Sequence, residues 1–182
     1  MKALILTADG YEDSELLYPY YRMIEEQIEV DIAAPESGSV TGKHGYTVEA
    51  NKSFDQINAD DYQMLILPGG SGPETVRLND KAVATAKQFM EQKKPVASIC
   101  HGIQTLISAD AIQGRNVTCW HGIKDDTIAA GATFEDEKVV IDDNLITSRM
   151  PDDLPAFARA IIQYLQKSDQ LKPTLASAKH TG

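Results

Sequence analysis

Short apolar runs alternate with amphipathic stretches along the chain, and this alternation constrains the fold more than any other feature. Residues 3–6 and 64–67 are unbroken apolar runs, which are typical of strands buried on both faces. Residues 28–32 and 95–99 predict two further strands. Between the strands, from Asp13 onward, apolar side chains recur every three or four residues, as in a helix. This order predicts a mainly parallel sheet with helices on both faces.

The remaining segments fit the same α/β architecture. Residues 37–50 hold three glycines among β-forming residues and predict a small hairpin. Residues 79–93 predict a helix, and residues 139–141 and 145–147 predict two strands joined by a polar turn. The last helix is expected to begin at the sequence PDDL, because Pro151 is a helix start signal and an apolar stripe follows.

The length and charge of the chain limit its organisation and its partners. Its 182 residues suffice for one domain, which we place at residues 1–166, followed by a polar tail at 167–182 that we expect to be partly disordered. A net charge of −10 leaves no basic excess for nucleic acid, and no apolar run is long enough to cross a membrane. The start does not read as a secretory signal, so we expect a cytoplasmic protein with both cysteines reduced.

Four loops that follow predicted strands carry the residues with chemical potential. Their sequences are ADGYED from residue 8, PGGSGPE from residue 68, CHG from residue 100 and SRMPDD from residue 148. The carboxyl ends of parallel strands meet at one edge of a sheet, where ligands bind. We therefore expect the four loops to share a pocket.

Cys100 is the candidate nucleophile. A free cysteine is more often a small buried residue than a reactive one. Here, however, the cysteine ends an apolar strand, precedes His101 and Gly102, and is followed by a helical stretch. A residue on such a strand-to-helix turn is lifted out of the sheet, and the helix N-terminus favours the reactive thiolate. The local sequence therefore predicts a nucleophile.

Neighbouring loops supply candidate partners for this thiol. His101 is the candidate base, although a third group is needed to orient its ring. The Gly69-Gly70 pair offers backbone N–H groups of the kind that stabilise an oxyanion. His44 and His121 lie in glycine-flanked loops and are interpreted as surface residues, so they are weaker candidates.

Four carboxylates in or just after these loops are candidates for the site. Asp13 and Glu15 are interpreted as ordinary partners of a helix dipole. Glu12 is nearest to the strand end and is expected in the pocket, where a carboxyl beside a thiolate is either protonated or repels it. Glu74 either begins a helix or orients His101. No phosphate-binding loop, dinucleotide fingerprint or metal-ligand spacing is present in the sequence, so we expect no metal and no cofactor.

Together these motifs resemble the PfpI-type intracellular cysteine proteases. Their superfamily also contains the Parkinsonism-associated deglycases and the class I glutamine amidotransferase domains. The matching stretches keep their order over residues 1 to about 165: LTADGYEDSELLYPY, TGKHGYTVE, LPGGSGPETVRLN, KPVASICHG, GIKDD and SRMPDDL. The resemblance implies a flavodoxin-like, doubly wound fold.

The resemblance also implies a role for each candidate residue. Cys100 would be the nucleophile and His101 its catalytic partner, with Glu74 of a neighbouring subunit completing the triad. Glu12 would be the buried acid that hydrogen-bonds the thiol. Gly70 and the backbone amide of His101 would form the oxyanion hole. Members of this family assemble as dimers and as hexamers built from dimers, so a homo-oligomer is implied.

Two positions depart from the family pattern. Ile103 stands where a proline often follows the CHG motif, and Trp120, followed by His121, stands where relatives usually carry a tyrosine. An indole N–H donates a hydrogen bond but cannot accept one. We therefore expect a changed substrate pocket around Trp120 and His121. Cys119 has no role that the resemblance implies.

Three functions fit a reactive cysteine beside an acid. The primary prediction is a cysteine hydrolase of the peptidase type, in which Cys100 attacks a peptide carbonyl. The first alternative is a glutathione-independent glyoxalase or deglycase, which acts on methylglyoxal or its protein adducts. The second alternative is a redox-sensing or chaperone-like stress protein, in which Cys100 is oxidised to a sulfinate. The pairing of His101 with Glu74 favours the enzymes over the sensor.

Overall fold

A computed structural model describes residues 1–168 of the chain. The predicted tail at 167–182 therefore lies almost wholly outside the described residues, and the domain boundary at 166 stays a prediction. Within the described range there is no helix that is both long and apolar enough to cross a membrane.

Eleven strands occur in the described part of the chain. They are β1 (Lys2–Leu6), β2 (Glu29–Ala34), β3 (Gly38–Thr41), β4 (Thr47–Ala50), β5 (Lys52–Ser53), β6 (Met64–Leu67), β7 (Val96–Ile99), β8 (Asn116–Val117), β9 (Thr133–Phe134), β10 (Val139–Asp142) and β11 (Leu145–Ser148). The α-helices of this region are α1 (Asp13–Glu25), α2 (Gly72–Val76), α3 (Asp80–Glu91), α4 (Ile103–Ser108), α5 (Lys124–Ala129) and α6 (Leu154–Lys167).

Seven of these strands form one sheet in the order β10-β11-β7-β6-β1-β2-β5. All neighbours in this sheet are parallel except β10 and β11, which are antiparallel across the predicted polar turn. The predicted hairpin is formed by β3 and β4, which pair antiparallel outside the main sheet. The predicted doubly wound fold with a small hairpin is confirmed.

Alternate residues of the central strands enter two separate cores, because successive side chains in a strand point to opposite faces. Leu4 and Leu65 pack on one face, in a cluster that includes Phe89 of α3. Ile5 and Ile66 pack on the other face. That second cluster also contains residues of α1 and α6, among them Leu16, Met23, Phe157, Ile161 and Leu165. The unbroken apolar runs are thus explained by burial of both sheet faces.

The region between α4 and β10 is where the sequence prediction was incomplete. It holds the short strands β8 and β9, which pair in parallel in their own sheet, and the helix α5. Each of these strands is two residues long, too short for an alternating pattern to be visible in the sequence. The predicted helix at 79–93 is present as α3, preceded by the separate short helix α2.

Candidate active site

The four predicted loops do meet, in a cavity of about 480 Å³ at the carboxyl edge of the sheet. Its lining includes six residues that the sequence analysis singled out for this pocket: Glu12, Gly70, Glu74, Cys100, His101 and Trp120. Four further lining residues were not assigned to the pocket from the sequence: Glu15, Lys43, Ser71 and Pro151. Chain segments far apart in sequence are brought together here because parallel strands end at the same edge.

Cys100 lies at a sharp turn between β7 and α4. Its backbone φ is +59°, a left-handed conformation that is costly for a residue with a side chain. The turn packs so closely against the end of β6 that a Cβ at Gly102 would collide with the carbonyl oxygen of Leu67. Cys100 therefore has the strained backbone geometry of a nucleophile elbow, as predicted from the strand-to-helix pattern.

Polar groups converge on the sulfur of Cys100. Sγ lies 3.3 Å from Nδ1 of His101. Burial and the neighbouring Glu15 carboxylate raise the pKa of the thiol, whereas hydrogen bonds from the backbone N–H groups of His101 and Gly70 lower it. These two N–H groups are the pair that the family resemblance assigned to an oxyanion hole.

Glu15 is the carboxyl group in contact with the thiol. Its side chain is fully buried, and it interacts directly with Cys100. Oε2 accepts a hydrogen bond of 2.8 Å from the N–H of Gly69, while Oε1 accepts none from the described residues. Burial raises the pKa of Glu15 to about 7, although the Gly69 hydrogen bond opposes this. Adjacent buried anions repel, so the carboxylate of Glu15 and the thiolate of Cys100 disfavour each other.

This arrangement corrects the expectation that Glu12 contacts the thiol. Glu12 lines the cavity, but its Oε2 pairs with Nζ of Lys43 at 2.7 Å and its Oε1 lies 3.2 Å from Nε2 of His44. The cause is the way in which the chain enters α1. The N–H of Glu12 bonds the carbonyl of Gly69, which fixes residue 12 at the cavity mouth and sends Glu15, one turn later, underneath.

His101 and Glu74 line the same cavity within one chain. Burial lowers the pKa of His101, an effect that the Glu74 carboxylate partly offsets. The imidazole is therefore neutral at pH 7 and can accept a proton from the thiol. Among residues 1–168 there is no hydrogen bond between Glu74 and His101 in one chain, so the predicted contribution of Glu74 from a neighbouring subunit stays a prediction.

The pocket is also lined by two large apolar side chains, Trp120, which is 39% exposed, and Pro151. His121, the other residue expected there, does not line the cavity. Its ring packs edge-to-face against Phe134, with ring centroids 6.5 Å apart. Cys119 is buried, and burial raises the pKa of its thiol to about 12.

One group of side chains has the composition of a metal site: Glu12, Asp13 and His44, whose donor atoms lie within 4.8 Å of one another. Asp13, however, already accepts hydrogen bonds from the backbone N–H groups of His44 and Tyr46 at 2.9 Å. Glu12 is paired with Lys43. Since these contacts occupy the carboxylates, the group gives no reason to assign a metal.

Comparison with known proteins agrees with this geometry. The DJ-1/PfpI family profile matches residues 1–164. The chain is 51% identical over 166 residues to Deglycase PH1704 of Pyrococcus horikoshii, covering 91% of this chain and 100% of that protein. It is 40% identical over 166 residues to "Putative cysteine protease YraA" of Bacillus subtilis, covering 91% of this chain and 98% of that one.

A solved structure agrees as well. A two-domain protein of Anabaena variabilis, with DJ-1/ThiJ/PfpI-like and ferritin-like domains, superposes with a TM-score of 0.89 at 34% identity. The match covers 96% of this chain and 53% of that longer protein. The family resemblance drawn from the sequence motifs is therefore confirmed.

Proposed function

This chain belongs to the DJ-1/PfpI family, and we propose that it is a cysteine-dependent hydrolase of the deglycase type. Its substrates would be adducts that methylglyoxal forms with amino groups. Relatives with about half of their residues identical over their whole length are named deglycases, which supports this choice over the peptidase prediction.

The observation that carries the proposal is the buried carboxyl of Glu15 beside Cys100. Turning a methylglyoxal adduct into a hydroxy acid requires a proton to move between neighbouring carbon atoms. A group with a pKa near the working pH is best suited to take and return that proton. Glu15, with its pKa raised to about 7 by burial, meets this requirement. Peptide hydrolysis needs no such second acid, since the imidazole of His101 suffices for it.

The reaction balances without an external oxidant or reductant. The Cys100 sulfur bonds to the carbon that carries the nitrogen, and the amine leaves with a proton from Glu15. That carbon also carries the hydroxyl group of the hemiaminal adduct. The Glu15 carboxylate then removes the hydrogen of that carbon and returns it to the adjacent carbonyl carbon, while the hydroxyl proton moves to the oxygen of the former carbonyl, which leaves a lactoyl thioester on Cys100. Water, deprotonated by His101, cleaves the thioester. One adduct and one water thus give one free amine and one lactate.

Hydrolysis of peptides is the second candidate. It is favoured by the Sγ–Nδ1 distance of 3.3 Å and by the two backbone N–H groups at the sulfur, which suit attack on an amide carbonyl. The name of the Bacillus subtilis relative supports the same chemistry.

The test is a side-by-side assay of the purified protein with Cys100→Ser as the blank. One arm follows lactate and free amine released from methylglyoxal adducts of blocked lysine and arginine. The other arm follows cleavage of a fluorogenic peptide panel. The proposal would be supported if lactate and amine are released in equal amounts. Their rate of release should then depend on the concentration of the adduct and not on that of free methylglyoxal. Rates that follow free methylglyoxal would identify a glyoxalase, and Cys100-dependent peptide cleavage without lactate would replace the deglycase with a peptidase.

A further inference from the structure

Lys43 stands at the tip of the β3–β4 hairpin, and its backbone is fixed over the active-site cavity. Its N–H donates to the carbonyl of Tyr11 at 2.9 Å. On its C-terminal side, the carboxylate of Asp13 accepts from the N–H groups of His44 and Tyr46, both at 2.9 Å. The hairpin tip is therefore bound to the loop and helix that carry Glu12 and Glu15, and Lys43 cannot drift away from the cavity.

The side chain of Lys43 forms an ion pair with Glu12. Nζ lies 2.7 Å from Oε2 of Glu12, whose side chain is only 10% exposed, whereas that of Lys43 is 49% exposed. The hydrogen bond from Lys43 to Glu12 raises the pKa of the ammonium, which keeps it charged. The ion pair with Glu12 therefore keeps the ammonium group of Lys43 at the cavity that contains Cys100.

Lys43 is the one lysine or arginine among the described residues that line this cavity. The ionisable groups that face it are Glu12 and Glu15 from the start of α1, His44 from the hairpin, Glu74 from α2, and Cys100 and His101 from the elbow. Arg149, on the loop that carries Pro151, is instead bound to Asp136 and Asp153. The ammonium of Lys43 is therefore the positive charge that the Cys100–Glu15 pair experiences.

We propose that Lys43 is a positioning residue that stabilises the thiolate of Cys100 through space. Lys43 and Cys100 line the same cavity, and a nearby cation favours the ionised form of a thiol. The hydrogen bonds from the backbone N–H groups of Gly70 and His101 act in the same direction, since they too lower the pKa of the thiol. The inference rests on the thiol chemistry of the proposed function but not on its substrate.

The experiment measures the rate of Cys100 alkylation by iodoacetamide, an uncharged probe, as a function of pH. The variants are Lys43→Met, Lys43→Arg and the control Lys93→Met, which removes an exposed lysine paired with Asp143 at 3.2 Å. Lys43→Met should shift the midpoint to higher pH, so that alkylation below the midpoint is about three- to tenfold slower at equal pH. Lys43→Arg should restore the profile of the unmodified protein, and Lys93→Met should not change it.

A structural role for Lys43 would give a different result. Slower alkylation by the same factor at every pH, with an unchanged midpoint, would overturn the proposal, and so would a Lys43→Met profile equal to that of Lys93→Met. If Lys43→Met does not fold, the salt dependence of the alkylation midpoint in the unmodified protein tests the proposal instead. Screening should raise its midpoint, and a midpoint that does not change with salt would overturn the proposal. Alkylation needs no substrate, so the result of this experiment does not depend on the outcome of the deglycase assay.

Discussion

The carboxyl of Glu15 and the thiol of Cys100 meet directly beneath the backbone of Gly69. A Cβ at position 69 would collide with Oε2 of Glu15 and would lie 2.7 Å from the Cβ of Cys100. The N–H of Gly69 also donates to Oε2, so this glycine both permits and orients the contact. An acid and a thiol held together in a buried place affect each other's ionisation.

The first prediction concerns which carboxyl controls the thiol. Glu15→Leu should lower the pH midpoint of Cys100 alkylation, because the thiol loses a neighbouring carboxylate that raises its pKa. Glu15→Gln should lower it as well, since the amide carries no charge and its N–H can donate to the thiolate. Glu12→Gln is the matched control, because it removes a carboxylate from the same cavity without touching the sulfur. A larger shift for Glu12→Gln than for Glu15→Leu would return the role to Glu12.

The second prediction concerns stability against pH. Burial raises the pKa of Glu15 from 4.5 to about 7. Between these values the folded protein binds more protons than the unfolded chain, so the free energy of unfolding falls as pH rises through this window. Glu15→Gln removes that dependence and should be more stable than the unmodified protein at pH 8, by about 2–3 kcal/mol.

This stability difference should shrink as the pH falls towards 4, where the carboxyl of Glu15 is protonated in both states. Denaturant unfolding at several pH values measures it. Glu91→Gln, an exposed position on α3, is the control and should leave the pH dependence unchanged. A constant difference between Glu15→Gln and the unmodified protein at all pH values would contradict a raised pKa of Glu15 in the folded protein.

The third prediction is that the two thiols react very differently. Cys119 is 1% exposed and does not line the active-site cavity, whereas Cys100 does. Brief treatment with dilute iodoacetamide followed by peptide mass spectrometry should therefore show one adduct, at Cys100. Modification of Cys119 before Cys100 would count against the assignment of Cys100 as the nucleophile.

The fourth prediction concerns a homo-oligomer with shared sites. If Glu74 serves the His101 of a neighbouring subunit, a mixed dimer of Cys100→Ser and Glu74→Gln has one site with both changes and one with neither. Random exchange makes about half of the dimers mixed, so activity should recover to roughly a quarter of that of the unmodified protein.

Co-refolding of the two variants, with size exclusion to verify assembly, provides the measurement. Each variant refolded alone is the control. If Glu74 serves its own subunit, where it lines the same cavity, no mixed dimer contains an intact site. Activity equal to the mean of the two refolded variants, in an oligomer shown to be mixed, would then exclude a shared site.

Local sequence patterns predicted the fold and the position of Cys100 at a strand-to-helix turn. The apolar runs of β1 and β6 specify strands buried on both faces, because a strand covered on two sides needs no polar side chains. Cys100 was identifiable because the elbow is made by consecutive residues: a strand end, the cysteine, His101 and Gly102. The meeting of four loops at one edge followed from the parallel order of strands alone.

Only the tertiary structure decided which carboxyl group and which cation lie near the thiol. Glu12 and Glu15 lie one helical turn apart, so either can face the sheet until the pairing of residue 12 with Gly69 sets the start of α1. Lys43 enters from a hairpin about thirty residues further along the chain, and its place depends on hydrogen bonds to Tyr11 and Asp13. Secondary structure follows from neighbours along the chain, whereas the ionisation of a buried pair depends on charges that only folding brings near.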